Sequence, residues 1–408
     1  MQLAGRFLTL FLLHTAYVVH RRFALSTNAI AHDFGLSTAE LGWFVTAHAF
    51  ALTVSKLVLG AASDRLSPKR LLIAPLLLLG TAALLLSATS SKMVLLAVVV
   101  ASAALQGAAW PVCVAYLQRW LDGGPMGVLF SLLSSTTTVG GLALAFLAGD
   151  EWRGVAERIG YSSFILALFS WFVLDEREER SGGEGEKREK GALLSSLKSI
   201  IGSGAVWRLS VLYGLAMMTR TIAETWLPMF SHDATTIQYY FEIGGLIGSL
   251  ASGAAVDAAA RAAAMGAEPA ARHLLCATTS AMLIVTSWLV LALADTTTPP
   301  SFLSLASLSL TSGAAVYASI NIACLACATM GPGGRSSGAT TALVSFLAQT
   351  GSIVAGSPVA WLLQTAGRAA LAPALSIGVV AVAGVAWTNK PFLMEESEKE
   401  EDKKMKEK

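Results

Sequence analysis

Twelve long apolar runs divide this chain, and a membrane is the solvent that suits them. They lie at 7–27, 38–63, 70–88, 92–118, 126–148 and 160–175, then at 206–229, 236–258, 272–294, 301–329, 337–364 and 368–388. An apolar stretch of about 17 to 25 residues crosses the hydrocarbon core of a bilayer as one helix. The runs are continuous and rich in Leu, Ala and Gly, whereas a membrane β-barrel needs short alternating segments. Hydrophobic residues make up 54% and charged residues 14% of the 408, an imbalance that a water-soluble domain of this length does not carry. The predicted fold is an all-α membrane protein with twelve transmembrane helices in two six-helix halves.

Charge placement orients the helices. Arg65, Lys69 and Arg70 follow the second run, Arg119 follows the fourth, Arg261, Arg272 and His273 lie between the eighth and ninth, and Arg335 precedes the eleventh. With alternating helices all these loops share a side with both termini, and the positive-inside rule makes that side cytosolic. Phe7 to Val19 lacks a small-x-small cleavage site, so it reads as a retained first helix and not as a leader. The mixed-charge stretch from Asp175 to Lys190 cannot build a core. The expected organisation is therefore a first half at 1–175, a cytosolic linker at 176–195, a second half at 196–388 and a disordered charged tail at 389–408.

A landmark recurs in each half. Gly60-Ala-Ala-Ser-Asp64-Arg65 closes the second run, and Gly253-Ala-Ala-Val-Asp257 closes the eighth. Gly60 lets two helices approach closely, and Asp64 can accept from a neighbouring helix terminus; Gly253 and Asp257 are their counterparts in the second half. With Arg65, they are the candidate gating residues. Topology alone explains the basic residues there, but not the glycine paired with the aspartate. Two halves in matching helix order, related by an axis along the membrane normal, form a known transporter architecture.

The candidate binding residues are charges inside the apolar runs. Arg21 and Arg22 sit near the end of the first run, Lys56 in the second, Arg220 in the seventh and Glu242 in the eighth. An arginine at the centre of a spanning helix costs about 2.5 to 3.5 kcal/mol on insertion scales, so it marks a site. The competing reading, arginines snorkelling outward, opposes the charge bias and strands the apolar Phe23–Ile30 as a loop. Adjacent helical residues diverge by about 100°, so one arginine points directly into a cavity; Tyr17, one turn before Arg21, shares its face, which favours Arg21 and makes the Tyr17 hydroxyl a further candidate for the same site. Lys56 either joins the site or snorkels to the cytosol. Arg220 precedes Glu224 by one turn and can pair with it. Glu242 can bond substrate hydroxyls or steady Arg220.

Guanidinium forks match phosphate oxygens bidentately. The cation cluster therefore suits an organic phosphate or inorganic phosphate, and the first half offers no mid-membrane carboxylate for proton coupling. No nucleophile and base pair, phosphate-binding glycine loop or nucleic-acid patch stands out. The cysteines at 113, 276, 324 and 327 read as packing residues, because Cys324-x-x-Cys327 lacks a second ligand pair. The expectation is a carrier without metal or cofactor, embedded in the lipid bilayer and functional as a monomer.

Several motifs carry a resemblance. Val19-His20-Arg21-Arg22, Leu41-Gly42, Ser55-Lys56, Gly60 to Arg65, Gln106-Gly-Ala-Ala-Trp110-Pro111-Val-Cys113, Arg119-Trp120, Val139-Gly140-Gly141, Arg220 with Trp226, and Glu242 to Gly248 occur in order. The chain resembles the organophosphate:phosphate antiporters of the major facilitator superfamily, most nearly the eukaryotic glucose-6-phosphate translocases, from about Tyr17 to Ala383. The resemblance implies that Arg21 and Arg220 clamp phosphate between the halves, with Lys56 as a third cation. Arg22 departs from the family's lysine, Ala109 and Val112 from its glycine and second proline, and Thr225 from its aspartate. Thr137 stands where the bacterial glycerol-phosphate exchanger has a histidine, which makes Thr137 a candidate substrate contact. The tail's Lys404-Met-Lys406-Glu-Lys408 resembles a retrieval signal of endoplasmic-reticulum membrane proteins, and that membrane is the expected location.

Overall fold

The computed structural model describes residues 2–25, 27–62, 66–120, 126–147, 151–174, 204–230, 233–264, 270–294, 300–329 and 338–387. Every regular element among them is helical. In the first half these are α1 (Gln2–Leu25), α2 (Thr27–Asp33), α3 (Thr38–Ala62), α4 (Pro68–Ala88), α5 (Lys92–Leu105), α6 (Ala109–Trp120), α7 (Met126–Ser134), α8 (Thr136–Leu147) and α9 (Trp152–Val173). In the second they are α10 (Gly204–Thr225), α11 (Leu227–Phe230), α12 (Ala234–Ala264), α13 (Ala270–Ala294), α14 (Phe302–Thr329), α15 (Gly338–Val354), α16 (Ser357–Ala366) and α17 (Leu371–Trp387). Seven segments among the described residues are long and apolar enough to cross a membrane.

Local chemistry sets the helix ends. At α3, Ser37 and Glu40 form a capping box: the Ser37 amide donates to Glu40 Oε2 at 2.7 Å and the Glu40 amide to Ser37 Oγ at 3.2 Å. At α4 the Ser67 hydroxyl receives the Arg70 amide, and Pro68 occupies the first turn, where a missing N–H costs nothing. Gly367, at φ +76°, makes the left-handed turn between α16 and α17 that a side chain would resist.

Some boundaries differ from expectation. The sixth rod, α9, begins at Trp152 rather than near 160. Arg153, Glu157 and Arg158 depress hydropathy there, yet Val155, Ala156 and Ile159 on the opposite face bury against Leu86, Leu95 and Val99. Four apolar runs are interrupted rods: α5/α6, α7/α8, α10/α11 and α15/α16. The linker at 176–195, the tail at 389–408 and the gating residues Asp64 and Arg65 lie outside the described residues.

Two seams join the halves. Along the first, α3 runs against α15 and α16: Ser357 donates its amide to Thr46 Oγ1 at 2.8 Å, and Lys56 Nζ donates to Gln349 Oε1 at 2.9 Å. Along the second, α7 and α8 run antiparallel to α12. Phe146 meets Tyr239 edge-on at 6.0 Å at one end, and the Val128 amide donates to Asp257 Oδ2 at 3.1 Å at the other. Asp257 thus accepts from the opening turn of α7. Gly253 is buried in the same helix, and Gly60 lies in the last turn of α3. Within the second half α12 lies tightly against α14, since a Cβ at Gly244 or Gly248 would overlap the backbone of Leu310 or Ala314.

Candidate functional site

The helices that meet at the seams enclose a cavity of about 70 Å³. From α1, residues at a spacing of three to four share one face, so His14, Tyr17 and Arg21 reach the wall together. Lys56 comes from α3, Thr137 from α8 and Arg220 from α10. Among the described residues three cations face this space and no carboxylate lines it. A smaller void of about 20 Å³ continues past Arg21 and Arg220 toward His48 and Glu224.

The break between α5 and α6 explains how Lys56 reaches the cavity. A Cβ on Gly107 would overlap Ser55 and the Lys56 amide, so the glycine lets α3 lie directly on the interrupted rod. The Ser55 hydroxyl donates to the Ala104 carbonyl at the same crossing. Gln106 and Trp110, on either side of the break, also line the wall. Lys56 is held by Gln349 from the other half and does not snorkel.

Arg21 and Arg220 each keep a donor in reserve. Arg21 Nη2 and Arg220 Nη2 are buried without a hydrogen-bond partner among the described residues. A buried unmade hydrogen bond costs about 1–3 kcal/mol, and more when the group is charged. Both groups therefore gain from an incoming acceptor.

Arg22 has a different environment. Its guanidinium lies 2.8 Å from Glu224 Oε1 and 2.6 Å from Glu242 Oε1, and it donates to the Tyr317 hydroxyl. Arg220 Nε also reaches Glu224 Oε1, while its guanidinium sits over the Tyr317 ring, 5.0 Å from the centroid. The Tyr317 hydroxyl lies 3.0 Å from Glu224 Oε1 and 3.3 Å from Glu242 Oε2. Gly141 makes room for this arrangement, because a Cβ there would collide with the Glu242 carboxylate.

These contacts correct three expectations. Arg22 does not line the cavity, because one residue further around α1 turns it into the carboxylates of the second half. Glu242 neither faces the cavity nor bonds Arg220; it is fully buried against Arg22. Tyr17 lines the cavity with its ring, but its hydroxyl donates to the Leu72 carbonyl at 2.5 Å. Thr137 faces the cavity while its hydroxyl proton goes to the Ser134 carbonyl at 2.5 Å, which leaves an oxygen lone pair for a ligand. His14, Gln106, Tyr213 and Cys324 were not anticipated in the lining. In the sequence, the spacing of His14 seven residues before Arg21 was the available signal.

Charge adds up simply. Arg21, Arg22, Lys56 and Arg220 stand against Glu224 and Glu242, leaving a surplus of two positive charges with both carboxylates ionised. A phosphate ester carries about −1.5 to −2 near neutral pH.

Family comparison bears on the same architecture. The profile of the Major Facilitator Superfamily matches residues 7–356. The chain belongs to the major facilitator superfamily. It is a multi-pass integral membrane protein of all-α fold. It is similar to a probable hexose phosphate transport protein of Chlamydia pneumoniae, at 23% identity over 278 residues. It is also similar to the membrane sensor protein UhpC of Escherichia coli, at 24% identity over 265 residues. Each match covers 58% of this chain and 60% of the relative, so the chain spans about three-fifths of the length of these relatives.

Proposed function

We propose that this superfamily member is an antiporter that exchanges an organic phosphate, glucose 6-phosphate or a related sugar phosphate, for inorganic phosphate. The observation that carries this reading is the set of three cationic side chains, Arg21, Lys56 and Arg220, on a cavity that no carboxylate lines among the described residues, with a free donor on Arg21 and another on Arg220. A phosphate anion matches those cations and those donors. The hexose phosphate transport protein among the relatives supports the same substrate class.

Arg21 and Arg220 belong to opposite halves, so a phosphate bound to both joins the halves at one point. Lys56 supplies a third charge, and the Thr137 oxygen accepts from the ligand. A sugar phosphate enters the cavity when the halves part along the seams. Without an anion the arginines stay uncompensated while the halves rock, which raises the barrier to an empty return. Exchange is the consequence. Glycerol 3-phosphate is the alternative ester. The protein acts as a monomer without a cofactor in the endoplasmic-reticulum membrane, with both termini cytosolic.

The test is counterflow in proteoliposomes loaded with phosphate and offered labelled phosphate, glucose 6-phosphate or glycerol 3-phosphate. Rapid exchange that depends on internal phosphate supports the reading, and its absence with active, correctly inserted protein overturns it. A second reading is favoured by the likeness to a membrane sensor protein: the same cavity binds a sugar phosphate without carrying it. Thermal stabilisation by the ester without counterflow is the outcome that selects the sensor.

A further inference from the structure

His14 is one of the polar cavity residues that phosphate recognition leaves unused. Its role follows from a chain of hydrogen bonds. Thr136, in the first turn of α8, donates its hydroxyl proton to the Leu133 carbonyl at 2.6 Å. With that proton committed, Thr136 Oγ1 can only accept from its other neighbour, His14 Nδ1, at 2.6 Å. Nδ1 therefore carries the hydrogen, and in the neutral ring Nε2 bears the lone pair. A second proton on Nε2 would add a fourth positive charge beside Arg21, Lys56 and Arg220. The ring is seated against Trp110, with centroids 5.1 Å apart, and no hydrogen bond to Nε2 is formed among the described residues.

The cavity thus offers an acceptor at His14 among donors at Arg21, Lys56 and Arg220. Charged phosphate oxygens are acceptors too, so an Nε2 lone pair repels them. A hydroxyl is the group it fits. We propose that His14 Nε2 accepts a hydrogen bond from a hydroxyl of the organic part of the substrate, which makes the site selective for polyhydroxy phosphate esters over esters bearing a carboxylate. This rests on the phosphate reading above, and it adds what that reading leaves open: the chemistry of the group attached to phosphate.

A site built to bond a substrate hydroxyl discriminates strongly against analogues that lack one. The experiment measures binding by ligand-induced thermal stabilisation, and exchange in proteoliposomes, with inorganic phosphate, glucose 6-phosphate and phosphoenolpyruvate. In His14→Phe, which keeps a ring but removes the lone pair, the apparent affinity for glucose 6-phosphate is expected to fall about 10-fold or more, with inorganic phosphate changed less than about twofold. His14→Gln, which restores an acceptor, should recover part of the loss. Thr136→Val lies behind the ring and frees the tautomer, so it should lower glucose 6-phosphate affinity in the same direction and again spare phosphate.

Equal losses for phosphate and glucose 6-phosphate in His14→Phe would overturn the assignment, as would unchanged glucose 6-phosphate affinity. Parental protein that prefers phosphoenolpyruvate also refutes it. Parental protein that binds none of the three anions instead removes the phosphate reading itself, a result that no His14 variant is needed to see.

Discussion

Arg21 and Arg22 are neighbours in sequence, about 100° apart around α1, and they have opposite fates. Arg21 faces a cavity without carboxylates and keeps an unpartnered Nη2, whereas Arg22 is locked between Glu224 and Glu242 with Tyr317 beside it. Both are intramembrane arginines, and hydropathy scores them alike. What separates them is the direct ion pair: Arg22 makes two with carboxylates of the second half, and Arg21 makes none among the described residues. Glu224 joins the two regions, since it pairs with Arg22 of the first half and with Arg220 of the cavity.

Substitution at the cavity arginines tests that contrast most severely. Removing one partner of a buried, hydrogen-bonded charge pair costs about 2–5 kcal/mol. Arg21→Ala and Arg220→Ala should therefore each lower phosphate counterflow about 30-fold or more, at roughly ten-fold per 1.4 kcal/mol. Arg21→Ala should leave the thermal unfolding midpoint in detergent nearly unchanged, because Arg21 has little protein partner to lose. Arg220→Ala should lower it, because Glu224 loses a cation. Retention of full counterflow in either variant would show that the cavity cations do not hold the anion.

The paired region should respond in the reverse order. Breaking a buried ion pair by removing one partner costs about 3–5 kcal/mol, and Glu224 remains to Arg22, so Glu242→Gln should lose up to about 3 kcal/mol of stability. Unfolding followed by tryptophan fluorescence would read that loss. Replacing both partners, Arg22→Met with Glu242→Leu, should restore much of it, because no buried charge is then left unmatched. A double variant less stable than Glu242→Gln alone would mean that Arg22 depends on Glu224 more than on Glu242.

Lys56 stands between the two regions, as it lines the cavity and is also tied to Gln349 across a seam. Lys56→Gln keeps a donor for the seam and removes the charge, so the expected change is in ligand affinity. A charge-assisted hydrogen bond contributes about 1.5–3 kcal/mol, which corresponds to at least a ten-fold rise in KM for phosphate. Unfolding should move little. A large stability loss with unchanged KM would assign Lys56 to the seam instead.

Much of this contrast was legible in the sequence, and the remainder was not for physical reasons. The apolar runs stated the all-α membrane fold, and the cost of burying Arg21 and Arg220 singled them out as candidates. Gln106-Gly107 stood out as a motif, but its purpose became clear only once Gly107 lay against Ser55 and Lys56 of α3. The pairing of Arg22 with Glu242 spans from α1 to α12, and no periodicity encodes it. Tyr317 had no local signal, since a tyrosine in an Ala- and Ser-rich helix looks like any other core aromatic. The early start of α9 was hidden because Arg153, Glu157 and Arg158 occupy the face opposite the buried one.

Tyr17 provides the smallest and most discriminating test. Its face is shared with Arg21, which suggested that its hydroxyl joins the ligand, yet that hydroxyl is spent on the Leu72 carbonyl of α4. Tyr17→Phe keeps the ring in the cavity wall and removes only the internal hydrogen bond. The expected result is a loss of about 1 kcal/mol in stability, the net worth of one hydrogen bond, with phosphate and sugar-phosphate affinities unchanged. The Leu72 carbonyl would be left without that donor, so the effect should appear as a lower unfolding midpoint. If Tyr17→Phe instead weakens ligand affinity while stability holds, the hydroxyl leaves Leu72 when the anion arrives. The division between ligand-facing and structure-holding groups would then shift during the transport cycle.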